Sequence, residues 1–293
     1  MDMGSARWVC LLTILIACFT SPGTATAHEQ TRTDALILAI HPYLAAEDLL
    51  NRFAPLARYL ENRIGHPVQV VVSANYGVHI NHVGTGEADI AYLGPAPYVE
   101  LVRRYGPQNI LARQSVNGRP TFIGKIVTRA DSTITSIQDL RGKRMAFGDP
   151  VSTMSHLVPH YYMLLHAGVS SADLAAYEFL GNHDDVALGV LMGAFDAGAL
   201  KEAVADKYRD QGLVTLAETP RISEHLFVAR SGLNQGVQNA LREALLSLHE
   251  APEGPQVLGR IKNGMDAFVP AVDSDYANLR TMIDVLRHHG IVQ

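Results

Sequence analysis

Cysteine is almost missing from this 293-residue chain: Cys10 and Cys18 are the only two, and from Phe19 onward there is no thiol. That excludes a disulfide scaffold, a cysteine-ligated zinc or iron–sulfur site, and a cysteine nucleophile from the main body. Positive charge is also scarce. Lys and Arg number 24 against 29 Asp and Glu, a formal net charge of −5, which is not the balance of a nucleic-acid binder. No stretch after residue 19 is long and apolar enough for a membrane helix, and there is no internal repeat, low-complexity tract or Gly/Ser-rich linker. The composition present, 47% hydrophobic and 18% charged, is that of a foldable soluble chain whose length suits two lobes of ordinary size.

The first residues read as an address. Arg7 precedes an apolar run from Trp8 to Phe19, followed by Pro22, Gly23 and Ala25-Thr26-Ala27. This is the pattern of a secretory signal spanning residues 1–27, cut after Ala27. The alternative is lipid attachment at Cys18, because Leu15-Ile16-Ala17-Cys18 also has the required form. Either route implies an exported protein.

Beyond the signal, strand-length apolar runs alternate with helical patterns. Residues 35–40 predict a strand. Residues 48–64 predict a helix, with Leu49, Phe53, Leu56, Leu60 and Ile64 on one face and Gly65 as its stop. Residues 68–73 and 90–93 predict strands, and 76–84 and 95–105 helices. A second block from about Thr121 continues with strands over 122–128, 144–147, 177–180 and 197–200, and helices over 152–167 and 184–192. The remainder holds a strand at 226–228 and amphipathic helices at 237–249 and 276–288. Such alternation implies parallel sheets with helices on their faces.

The most informative segment is Phe147-Gly148-Asp149-Pro150-Val151-Ser152-Thr153-Met154-Ser155, between a strand and a helix. A turn of this kind offers hydroxyls and unpaired backbone N–H groups at a helix start, where an anion is favoured. Plain capping by Ser152 or Thr153 accounts for one of the three hydroxyls. The Gly-Lys pair of a nucleotide-binding loop is absent. His183, in Gly181-Asn182-His183-Asp184, occupies a second strand-to-helix junction and can donate to an anion. Tyr76, Tyr92, Tyr98 and Phe122 are candidate pocket walls. His156 and His160 have helical metal-ligand spacing but lack an obvious third ligand, so no metal and no cofactor is expected. A serine hydrolase would recruit Ser152, His183 and Asp196, without a Gly-x-Ser-x-Gly elbow to present the serine.

Taken together, these segments resemble the periplasmic phosphonate/phosphite/phosphate-binding proteins of ABC transporters. The resemblance rests on Pro55-Leu56-Ala57-Arg58-Tyr59-Leu60, Gly86-Glu87-Ala88-Asp89-Ile90-Ala91-Tyr92-Leu93-Gly94-Pro95 and Asp139-Leu140-Arg141-Gly142-Lys143. The run from Gly148 to Ser155, Gly181-Asn182-His183-Asp184 and Gly193-Ala194-Phe195-Asp196-Ala197 complete it. It implies an α/β type II periplasmic-binding-protein fold of two lobes, each a mostly parallel sheet flanked by helices, closing on a ligand cleft. Residues 28–120 and 219–293 would form one lobe and 121–218 the other.

By the same resemblance, Ser152, Thr153 and Ser155 hold the oxygens of a phosphonate, phosphite or phosphate, His183 donates, and Tyr76 reaches across from the first lobe. The implied partner is an inner-membrane ABC permease, with a sensor kinase or a sulfonate ligand as alternatives, for a monomer without enzymatic activity. Three residues depart from the family pattern. Phe122 stands where a tyrosine hydroxyl is common, Met154 where a small hydroxylated residue is usual, and His225 where an aspartate is common. Glu202 lies only near the place of a second acid, so a ligand amino group has no secure counterpart.

Overall fold

A computed structural model of the chain describes residues 35–292 together with Met1. The export segment, with Cys10, Cys18 and Ala27, lies outside the described residues. The first strand, β1 (Leu36–Ile40), leads into α1 (Ala46–Ile64), which buries Leu49, Phe53, Leu56 and Leu60 and ends at Gly65. Gly65 has φ 69°, a left-handed conformation that a side chain disfavours, and its N–H closes on Glu61 O at 2.9 Å. Then follow β2 (Val68–Val72), α2 (Tyr76–Gly84), β3 (Ile90–Leu93), α3 (Pro95–Tyr105) and β4 (Asn109–Val116).

At this point the chain changes sheets. A two-residue strand, β5 (Thr121–Phe122), leads to β6 (Gly124–Arg129), β7 (Arg144–Phe147), α4 (Val158–Ala167), β8 (Ala176–Phe179), α5 (His183–Leu191), β9 (Ala197–Lys201), α6 (Glu202–Lys207) and β10 (Leu213–Glu218). The return passes through β11 (Ile222–Ser223) to β12 (Leu226–Ala229), α7 (Gln235–Ser247), α8 (Gly254–Ile261), β13 (Met265–Val269) and α9 (Ala277–His288). The two connectors pair with each other antiparallel, Ile222 opposite Phe122.

The six-stranded sheet has the order β13-β4-β12-β3-β1-β2 and the five-stranded sheet β10-β6-β9-β7-β8. Both are mixed, yet four of the six strands in the first and four of the five in the second run one way, in line with the expected mostly parallel sheets. The βα-wound strands do run the same way: β1 is parallel to β2 and β3, and β7 to β8 and β9. The antiparallel members include the strands that have just crossed. β12 inserts between β3 and β4, and β6 between β9 and β10, each antiparallel to both neighbours. A chain arriving from the other sheet enters at the connector edge and must run against the wound strands.

Alternation along the strands feeds a core on each face. In β1, Leu38 and Ile40 pack with Phe53 of α1, while Ala39 packs with Ile80 of α2 on the opposite face. The second sheet repeats this, with Met145 and Phe147 on one face and Ala146 with Val186 on the other. These layers fix the strand ends. Among the described residues, no helix is long and apolar enough to cross a membrane.

Candidate functional site

The loops leaving the C-terminal ends of parallel strands are where open α/β sheets present ligand-binding groups. Here both sheets aim such ends at one cleft. His41 and Tyr43 follow β1, Gly94 follows β3, the Ser152 turn follows β7, His183 opens α5 after β8, and Lys201 ends β9. Phe122 and His225 enter from the connectors. The cleft is closed down to a volume of about 10 Å³, near the size of a single water, and among the described residues no Asp or Glu side chain lines it.

The wall from the second sheet is built on one wide helical turn. Ser152 caps it, its hydroxyl oxygen accepting from the Ser155 N–H at 3.2 Å. The Leu157 N–H then bonds back five residues to Ser152 O at 3.0 Å. Such i→i+5 turns recur at functional sites. Thr153 Oγ1 accepts from the Ala96 N–H of α3 at 2.9 Å, a contact that joins the two sheets. The buried Tyr76 phenol lines the cleft together with Ser152.

His183 has its tautomer fixed by the backbone. The Lys201 N–H donates to His183 Nδ1 at 3.1 Å, so the neutral ring carries its proton on Nε2. Burial, then Lys201 and His225, hold its pKa well below the usual imidazole value. Lys201 is shifted likewise, by burial and by Lys262 and Arg52, and its Nζ stands 3.9 Å over the Tyr43 ring.

The wall from the first sheet is a stack of rings. His225, His41 and Tyr92 form a triangle of rings, 5.3, 5.4 and 5.5 Å apart between centres, and the tilted ring of Phe122 has its centre 5.1 Å from that of His225. His41 Nδ1 faces Tyr92 O at 3.1 Å, and His225 Nδ1 faces Glu224 Oε2 at 2.9 Å. Carbonyl and carboxylate can only accept, so both imidazoles donate backwards through Nδ1 and keep Nε2 for other contacts. Glu224 is fully buried and also accepts from Lys262 Nζ at 2.7 Å and Gln114 Nε2 at 2.6 Å. Burial works against its charge, yet Lys262 and His225 hold the carboxyl far below its usual range. Burial lowers His41 and, despite Glu224, lowers His225.

Six of the seven residues singled out from the sequence meet in this cleft: Tyr76, Phe122, Ser152, Thr153, His183 and His225. Ser155 does not line it. Its hydroxyl donates to Ala199 O at 2.5 Å, packed where a Cβ on Gly148 would come within 2.8 Å of it. Met154 lies in the wall against Gly124, where any Cβ would sit 3.1 Å from the sulfur. Tyr92 backs the ring stack, but Tyr98 turns away into the core, donating to Asp273 at 2.6 Å. Glu202 lines a separate 550 Å³ depression beside the cleft.

A Ser152–His183–Asp196 triad does not form, because His183 Nδ1 is taken by the Lys201 N–H and Asp196 is engaged with the Arg144 N–H at 2.8 Å. His156 and His160 bond each other at 3.2 Å, and among the described residues no group of three His, Cys, Asp or Glu could hold a metal. The sequence reading passed over His41, Tyr43, Lys201 and Glu224. Position was the available signal for the first three, each sitting at or just after the end of a predicted strand.

Two sheets joined by paired connectors, with a cleft at the facing strand ends, define a type II periplasmic solute-binding fold. Within that class the chain belongs to the family of periplasmic substrate-binding proteins of phosphonate ABC transporters, whose model matches residues 38–276. It is similar to the phosphate-import protein PhnD of Mycolicibacterium smegmatis, 27% identical over 94% of this chain and 93% of that one. It is also similar to the phosphonates-binding periplasmic protein of Escherichia coli, 25% identical over 80% of this chain and 72% of that one. The fold matches the structure of PhnD1 from Prochlorococcus marinus in complex with methylphosphonate, with a TM-score of 0.79 at 23% identity over 87% of this chain and 98% of that one.

Proposed function

We propose that the chain captures a small phosphorus oxyanion or phosphonate in this cleft and hands it to an inner-membrane ABC permease, acting as a monomer and without catalysis. The observation that carries this reading is a cleft walled by hydroxyls, imidazoles and one ammonium, with no carboxylate side chain lining it. An oxyanion there meets donors and dipoles from the Ser152–Thr153 turn, the Nε2–H of His183 and the positive field of Lys201. An alkylammonium finds no acid. His225 in place of the family aspartate therefore turns preference toward ligands without an amino group.

In this reading residues 28–120 and 219–293 form one lobe, 121–218 the other, and the paired connectors are the hinge. Residues 1–27 export the chain to the periplasm by cleavage after Ala27, with attachment at Cys18 as the alternative. The test is a thermal-shift screen of phosphate, phosphite, methylphosphonate, 2-aminoethylphosphonate, sulfate and taurine, since a ligand bound only by the folded form raises the melting temperature. Stabilisation by phosphate, phosphite or methylphosphonate is expected. A shift with taurine or sulfate and none with any phosphorus compound overturns the assignment.

A further inference from the structure

Against the ring wall lies a second cavity of about 190 Å³ that shares Tyr43, Lys201 and His225 with the cleft. On the measure by which the cleft holds a single water, that is space for a short organic tail. Four cations reach it: Arg52, Lys201, Lys207 and Lys262. Two are already neutralised. Lys207 Nζ is 2.7 Å from Asp184, and Lys262 Nζ is 2.7 Å from the buried Glu224.

The other two have no carboxylate partner. Lys201 Nζ rests over the Tyr43 ring, and Arg52 Nη1 donates only to Ile261 O at 3.3 Å. The remaining acid, Asp48, is exposed at the rim in the first turn of α1. Among the described residues the cavity is therefore left with two basic side chains that lack a carboxylate partner, of which Lys201, disfavoured as a cation by its burial, stands in the wall common to both spaces.

We propose that this cavity is a subsite for the second acidic group of a two-headed ligand: a short phosphonocarboxylate whose phosphonate occupies the Ser152–Thr153 turn and whose carboxylate meets Lys201 and Arg52. The proposal rests on the function proposed above and narrows its ligand class. A carboxylate completes two charge pairs that the protein leaves open, whereas an ammonium tail meets two basic side chains.

The test is calorimetric titration of the purified protein with phosphonoacetate, methylphosphonate and 2-aminoethylphosphonate. Phosphonoacetate is expected to bind at least about tenfold tighter than methylphosphonate, and 2-aminoethylphosphonate weaker than both. In Lys201→Met and, independently, in the half-buried Arg52→Gln, the preference of phosphonoacetate over methylphosphonate should fall to within about threefold. Equal binding of the two in the native protein, or a preference that survives both substitutions, overturns the subsite while leaving phosphonate binding intact. If no phosphorus compound binds at all, the proposed function falls and the subsite with it.

Discussion

The two walls of the cleft solve the same problem by different means. The ring wall of the first sheet has its polar atoms anchored from behind: His41 on Tyr92 O, Tyr92 on Gln114, and both Gln114 and His225 on Glu224. The turn wall of the second sheet has hydroxyls and helix-start N–H groups whose partners are local or come from the opposite sheet. One wall is a buried network whose failure is a failure of folding. The other is a set of donors whose failure is a failure of recognition.

That contrast breaks most visibly at Glu224. Removing this buried carboxylate leaves Lys262, Gln114 and His225 without their common acceptor, so Glu224→Ala should cost about 3–5 kcal/mol of stability in a denaturant melt. Substitutions in the turn wall should cost less stability, about 1–2 kcal/mol for a lost cap or a backbone N–H left without its acceptor, and weaken binding. Thr153→Ala and His183→Ala are each expected to lose about 1–3 kcal/mol of ligand affinity by calorimetry, with Ser152→Ala in the same range. If all three bind as the native protein does, the turn is a capping device and nothing more.

Acidity should separate the free and loaded forms. Burial lowers His79 to about 3, His156 to about 4 and His160 to about 3, and also depresses His41, His183 and His225. The unfolded chain therefore binds protons that the fold excludes, and stability is lost as pH falls below about 6.5, by roughly 1 kcal/mol per buried histidine per pH unit. An oxyanion beside His183 and His225 raises their affinity for protons, so binding takes up protons and strengthens as pH falls. Calorimetry in two buffers of different ionisation enthalpy measures that uptake; zero uptake would separate both rings from the ligand. The smallest expected effect is at the paired connectors, where Phe122→Tyr should gain about 0.5–1.5 kcal/mol of affinity from one added hydroxyl.

Much of this architecture is legible from periodicity alone. The helices Tyr76–Gly84 and Pro95–Tyr105 and the strand Arg144–Phe147 fall where the pattern predicts them, because one apolar face and clear end signals mark each. β4 and β13 carry no such signature. β4 buries Gln114 among its neighbours, and only the tertiary partners Glu224 and Tyr92 make that polar residue acceptable there. Site residues follow the same division. The hydroxyl run at Ser152 and the Gly-Asn-His junction are local patterns, whereas Lys201 and His41 are single residues whose meaning arises when two sheets face each other.

The placement of β12 bears on how such a molecule comes to be assembled. All five strands of the second sheet lie in one contiguous stretch, Gly124 to Glu218, and can pair without waiting for either terminus. The first sheet lacks its middle until residues 226–229 arrive, and before then β3 and β4 each present an open edge. Closing that gap joins segments more than a hundred residues apart, which makes it the slow, topologically expensive event. Because Glu224 and His225 travel with β12, the same event that seals the sheet also completes the cleft, so a partly folded chain has no binding site to offer.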